Sequence, residues 1–170
     1  MYNPDNEGDL RPAPVRGQQN GKQEMSIAKL SHIISLFGGK ELSEAERKDL
    51  FEETLLMTLA HATASDSNIN PIEVDSVIRI VEGETGNSVS AADVRVAAKS
   101  DIYETASLDQ YLDRASRSLE AVDRVRILEY LGQVIKSDVR ISVLEVDFFN
   151  RVAAALKVTP ADLVGLREAS

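Results

Sequence analysis

The feature that most constrains this chain is a stretch of fifteen residues that occurs twice. Residues 65–79 read Ser-Asp-Ser-Asn-Ile-Asn-Pro-Ile-Glu-Val-Asp-Ser-Val-Ile-Arg, and residues 137–151 read Ser-Asp-Val-Arg-Ile-Ser-Val-Leu-Glu-Val-Asp-Phe-Phe-Asn-Arg. At a constant offset of 72 residues, seven positions are identical: Ser65/Ser137, Asp66/Asp138, Ile69/Ile141, Glu73/Glu145, Val74/Val146, Asp75/Asp147 and Arg79/Arg151. The echo runs back through Leu59/Leu131 and Leu56/Leu128. With a three-residue adjustment it also runs forward, Ser90–Val94 facing Thr159–Leu163. A helical hairpin is duplicated here, and stacked repeats bury a shared core.

Each copy ends one helix and starts the next. Asn70 and Ser142 are good N-caps, and Glu73 and Glu145 follow three residues later, which completes a capping box. Pro71 suits the first helical position, where its missing N–H costs nothing. Ile69 and Ile141, just before the caps, can staple against Val74 and Val146. The aspartates are not explained this way. Asp66 and Asp138 sit at or just past a helix C-terminus, where the macrodipole disfavours negative charge by roughly 0.3–1 kcal/mol. An Asx-type turn, a nearby arginine or a bound cation would offset that cost.

Elsewhere the spacing of apolar residues is helical throughout. Residues 1–22 hold three of the five prolines and few large apolar groups, so a disordered tail is expected there. The folded domain is expected over 23–170. Its first helix begins near Gln23, carries Ile27, Leu30, Ile34 and Phe37 on one stripe, and stops at Gly38-Gly39. Ser43 and Glu46 box the next helix, with Phe51, Leu55, Leu59 and Ala62 on one face. Val74, Val77, Ile78 and Val81 mark a helix that should break at the turn-rich run Glu82–Asn87. Short helices are expected from Ser90 and Ser107, the second with Leu108, Tyr111, Leu112, Ala115 and Leu119 inward. A longer helix over 121–137 carries Val125, Leu128, Leu131 and Ile135. The second motif helix presents Val146, Phe149, Val152 and Leu156, and Thr159-Pro160 opens the last. Gly132 matches Ala60 in the first copy, so the two leading helices are expected to cross closely there. No stretch alternates with period two. The expected fold is an all-α bundle of about seven to eight helices, with two hairpin units related by a pseudo-two-fold axis.

Composition removes several classes of function. Acidic residues number 28 against 19 basic ones, a formal net charge of −9, which argues against a nucleic-acid or anionic-membrane binder. Cations and basic proteins are the natural partners. The absence of cysteine excludes disulfides, thiolate metal sites and thiol redox chemistry. No apolar stretch approaches the roughly eighteen residues of a spanning helix. No basic-then-apolar secretory signature opens the chain. A cytoplasmic protein is expected, reaching a membrane only peripherally through a partner.

Catalytic patterns are sparse. His32 and His61 form no His-x-x-x-His pair. His61 and Ser65 lie four apart on one helix, but a triad is recognised by three-dimensional geometry that spacing alone does not supply. Asp66, Asn68 and Asn70 imitate the start of an EF-hand loop. The match fails at Pro71, where glycine is needed, and at Val77, where a bidentate glutamate belongs. A looser oxygen site for a hard divalent cation, built from both copies, stays open.

The duplicated pattern Asp-x-x-Ile-x-x-x-Glu, closed by Leu-x-Val-Thr-Pro-Ala-Asp-Leu over 156–163, resembles the tellurite-resistance TerB family across roughly residues 50–166. Where that family carries Asp-Gly at the turn, this chain has Asp66-Ser67 and Asp138-Val139. The resemblance implies a non-enzymatic acidic interaction module in stress response and tellurite resistance. Such a module would bind a partner protein, a divalent cation (calcium or magnesium), or both, through Asp66, Glu73, Asp138 and Glu145. No catalytic residue is assigned. The competing class is a metal-assisted hydrolase or transferase using the same carboxylates.

Overall fold

The computed structural model describes residues 42–64, 71–99, 107–138 and 140–165. The tail, the helix expected from Gln23, and the first motif turn with Asp66 and Asn70 lie outside the described residues. Seven helices and no strand are present among the described residues: α1 (Glu44–Ala62), α2 (Pro71–Thr85), α3 (Ala91–Ala98), α4 (Leu108–Ala115), α5 (Ala121–Ile135), α6 (Val143–Ala155) and α7 (Pro160–Leu163). The protein is all-α, as its periodicity requires.

The helix starts form where local chemistry places them. Ser43, Ser90, Ser142 and Thr159 each close a reciprocal capping box with the acid three residues on, Glu46, Asp93, Glu145 and Asp162. Ser107 makes half of one, its hydroxyl accepting the Gln110 amide at 3.3 Å. Glu120 leads α5 with no side-chain cap, and its carboxylate pairs instead with Arg47 at 3.2 Å.

One helix end departs from expectation. α2 runs through Gly83 to Thr85 and does not break at Glu82. Gly83 costs a helix interior about 1 kcal/mol, which packing of Val74, Val77 and Val81 outweighs. The stop comes at Gly86, whose φ of +74° is left-handed and whose amide donates to the Glu82 carbonyl. Thr85 then turns its hydroxyl onto the Val81 carbonyl at 2.8 Å.

α1 is the axis of the bundle and packs against α2, α3, α4, α5 and α6. Every residue from Leu50 to Ala60 is buried, including Glu52, Glu53, Thr54 and Thr58. The single face of Phe51, Leu55, Leu59 and Ala62 is therefore only part of a helix enclosed on all sides.

α6 is rotated from its expected setting. Phe148, Val152 and Leu156 enter the core, Phe149 is half-buried, and Val146 is 47% exposed. Its counterpart Val74 is fully enclosed, so the two copies differ in what this valine contacts. Beyond α6, Lys157 adopts φ 56° and the Val158 amide reaches back to the Ala153 carbonyl at 3.0 Å, a left-handed helix stop normally taken by glycine.

Gly132 is not at a tight crossing of α1 and α5. A Cβ placed on it would meet only the Phe149 ring of α6, at 3.8 Å, an ordinary contact. Gly132→Ala should therefore stabilise the protein by about 0.5–1 kcal/mol, the usual gain of alanine over glycine inside a helix. A lower melting temperature would show that the α5–α6 contact has no room for a methyl group.

Candidate acidic site at the motif turns

The second motif is described almost completely. α5 ends at Ile135 with Lys136 as its C-cap, and Ser137 turns its hydroxyl back onto the Val134 carbonyl at 2.7 Å, satisfying one terminal acceptor. Asp138 follows, half-buried at the surface. After the exposed Arg140 and Ile141, Ser142 starts α6 in extended geometry, φ −84° and ψ 160°. Its hydroxyl accepts the Glu145 amide at 3.2 Å, and its own amide donates to Glu145 Oε2. Glu145 is thus buried and committed to the cap through one carboxylate oxygen. In the first copy, Glu73 is likewise buried in the first turn of α2. Asp66 lies outside the described residues. Among the described residues, no three of His, Cys, Asp and Glu gather into a metal-holding group.

Two further polar clusters are invisible in the repeat. The first is inside the bundle. Tyr111 of α4 donates its hydroxyl to Glu53 Oε1 at 3.0 Å and lies 3.2 Å from the Thr54 hydroxyl. Glu53 Oε2 has no hydrogen-bond partner among the described residues. Burial pushes the Glu53 carboxyl up to about 8, the Tyr111 bond opposes that, and Asp49 adds to it. Glu53 is a neutral acid at pH 7.

The second cluster is an open cleft of about 410 Å³ where the start of α1 meets the end of α2 and the start of α5. Glu84 accepts from Arg126 at 2.8 Å and from the Tyr130 hydroxyl, and Glu52 accepts from the Asn87 amide at 2.9 Å. The bond to Glu84 holds the proton on Tyr130, and partial burial raises the Asp123 carboxyl against the pull of Arg126. Five acids (Glu44, Glu52, Glu84, Glu120 and Asp123) face three bases (Arg47, Lys48 and Arg126). The hydrogen-bonded partners stand 35 to 46 residues apart along the chain and Arg47 and Glu120 73 apart, so local spacing announces only the Lys48–Glu52 pair.

His61 has a structural role. Its Nδ1 lies 2.9 Å from the Met57 carbonyl, an acceptor, so it is Nδ1–H that donates back along the same helix. Burial lowers its pKa. Ser65 lies outside the described residues.

The fold defines a class: an all-α module of capped helices packed around one enclosed central helix. The family model for tellurite resistance protein TerB matches residues 52–168, and the chain belongs to that family. No curated relative and no solved structure matches it. No helix among the described residues is long and apolar enough to cross a membrane.

Proposed function

We propose that this TerB-family chain is a non-enzymatic acidic interaction module of tellurite resistance and the wider stress response. It offers its motif turns to a partner protein or to a hard divalent cation, calcium or magnesium. The observation that carries this reading is the placement of the second turn. Asp138 stands half-buried at the surface beside the exposed Arg140, while Glu145, in the first turn of α6, is buried and held by its own cap. A surface carboxylate next to a rigidly capped helix start suits recognition of an external cation or a basic partner.

The donor set fits a hard cation in kind, since Asp138 and Glu145 supply carboxylate oxygen. It falls short in number. Calcium takes six to eight oxygens, so Asp66, backbone carbonyls or water must complete the shell. Both motif turns would then contribute.

The test is a set of melting curves with and without millimolar calcium or magnesium, at equal ionic strength made up with sodium. The parent should gain stability by mass action, about 2.7 kcal/mol when the ion is at a hundred times its dissociation constant. Asp66→Asn and Asp138→Asn should gain less. Without the ion, each should be stabilised slightly by losing charge at a helix C-terminus. Glu145→Gln keeps the capping box and should cost little. Equal shifts in parent and variants would eliminate the cation and leave the turns as a surface for a protein partner.

A further inference from the structure

We propose that the apolar groove between α5 and α6 is the docking site of this chain's own residues 24–37. Leu128, Gly132, Ile141, Val146, Phe149 and Leu163 line the groove, which encloses about 410 Å³. Ile141 is 52% exposed and Val146 47%. Apolar surface left open costs about 25 cal/mol per Å² relative to burial. Gly132 lines the groove, and packing within the bundle does not require a glycine there, because a Cβ would make only one ordinary contact. Its lack of a side chain keeps the groove deep.

The chain supplies an occupant of matching shape. Forty-one residues precede Leu42, and within them Ile27, Leu30, Ile34 and Phe37 fall at helical spacing, a stripe that as a helix would need an apolar partner. At 1.5 Å per residue the stripe spans roughly 15 Å, comparable to the roughly 12 Å of α5 between Leu128 and Lys136. The connection also reaches. Six residues separate Phe37 from Glu44 and extend to at most roughly 20 Å. The Arg47–Glu120 pair sets the start of α1 beside the start of α5, and Leu128 lies roughly 12 Å further along that helix. Charge favours the same chain over a second copy. Residues 24–37 carry one Glu, one Lys and one His, whereas another copy brings a formal charge of −9 against −9. A short tether also presents the segment at millimolar effective concentration.

The chain has no native cysteine, so His32→Cys creates a single spin-label site on the side of the stripe facing away from the groove. In the isotope-labelled full chain, the amides of Gly132, Ile141 and Phe149 should lose most of their intensity, while those of α3 keep theirs. Adding Leu30→Asp and Ile34→Asp should restore the lost signals, as should filling the groove with Gly132→Leu. Uniform broadening, broadening centred elsewhere, or broadening that survives the Leu30/Ile34 variants would overturn the proposal. Spin-labelled protein without isotope, mixed with isotope-labelled protein without spin label, supplies the last arm. Groove broadening in that mixture would make a second copy the occupant and would equally overturn it.

Discussion

Glu53→Gln will be more stable than the parent at pH 8, and the margin will close as the pH falls towards 4.5. The folded protein keeps a proton on Glu53 up to about pH 8, whereas an unfolded glutamate releases it near 4.5. Folding therefore takes up a proton between those values. The contribution of Glu53 to stability is fully present below pH 4.5 and is lost as pH rises through 8. Each unit of separation is worth about 1.4 kcal/mol, so the effect amounts to a few kcal/mol. Glutamine mimics the neutral acid, does not titrate, and can still accept the Tyr111 hydroxyl at its amide oxygen. Urea denaturation of both proteins at pH 5, 6.5 and 8 measures the difference directly, and other titrating groups cancel. A difference that stays constant across that range would mean that Glu53 ionises normally and that water reaches it.

Met57→Ala is expected to cost about 2–5 kcal/mol, the usual penalty for emptying a buried methionine site. Met57 is 1% exposed, yet it lies roughly 160° around α1 from the centre of the Phe51–Leu55–Leu59–Ala62 stripe. On a one-faced helix that position would meet solvent, and its truncation would fall within about 0.5 kcal/mol of neutral. The same side of α1 carries Glu53 and Ala60, and Tyr111 of α4 closes over it. A midpoint in urea shifted by more than about 1 M, at the slope of roughly 1–3 kcal/mol per molar found for small domains, would establish the enclosed helix. An unshifted midpoint would return α1 to an ordinary amphipathic surface helix.

What the sequence determined by itself is what depends on residues a few positions apart. The helix starts at Ser43 and Ser142 were legible because a capping box joins an N-cap to the acid three residues on, and those at Ser90 and Thr159 because a hydroxyl residue precedes each helical run. The all-α class followed from the helical spacing of Val74, Val77 and Val81, and of Val125, Leu128 and Leu131. The family followed from the duplicated Asp and Glu with their closing Pro-Ala-Asp-Leu.

Only the tertiary structure decided which sides of those helices are covered, because the covering atoms come from distant parts of the chain. In α6, both Phe148 and Phe149 continue a helical stripe through Val152 and Leu156. Packing against α4, α5 and α1 brought Phe148 inside and left Val146 out. Gly132 read as a helix crossing in the sequence and in the structure lines a groove between α5 and α6. Glu53 reads as one more surface acid of a charged helix. It becomes a neutral, buried one because the helices packed around α1 take it out of the water that would hold its charge, an effect that the hydrogen bond from Tyr111, 58 residues away, only partly opposes.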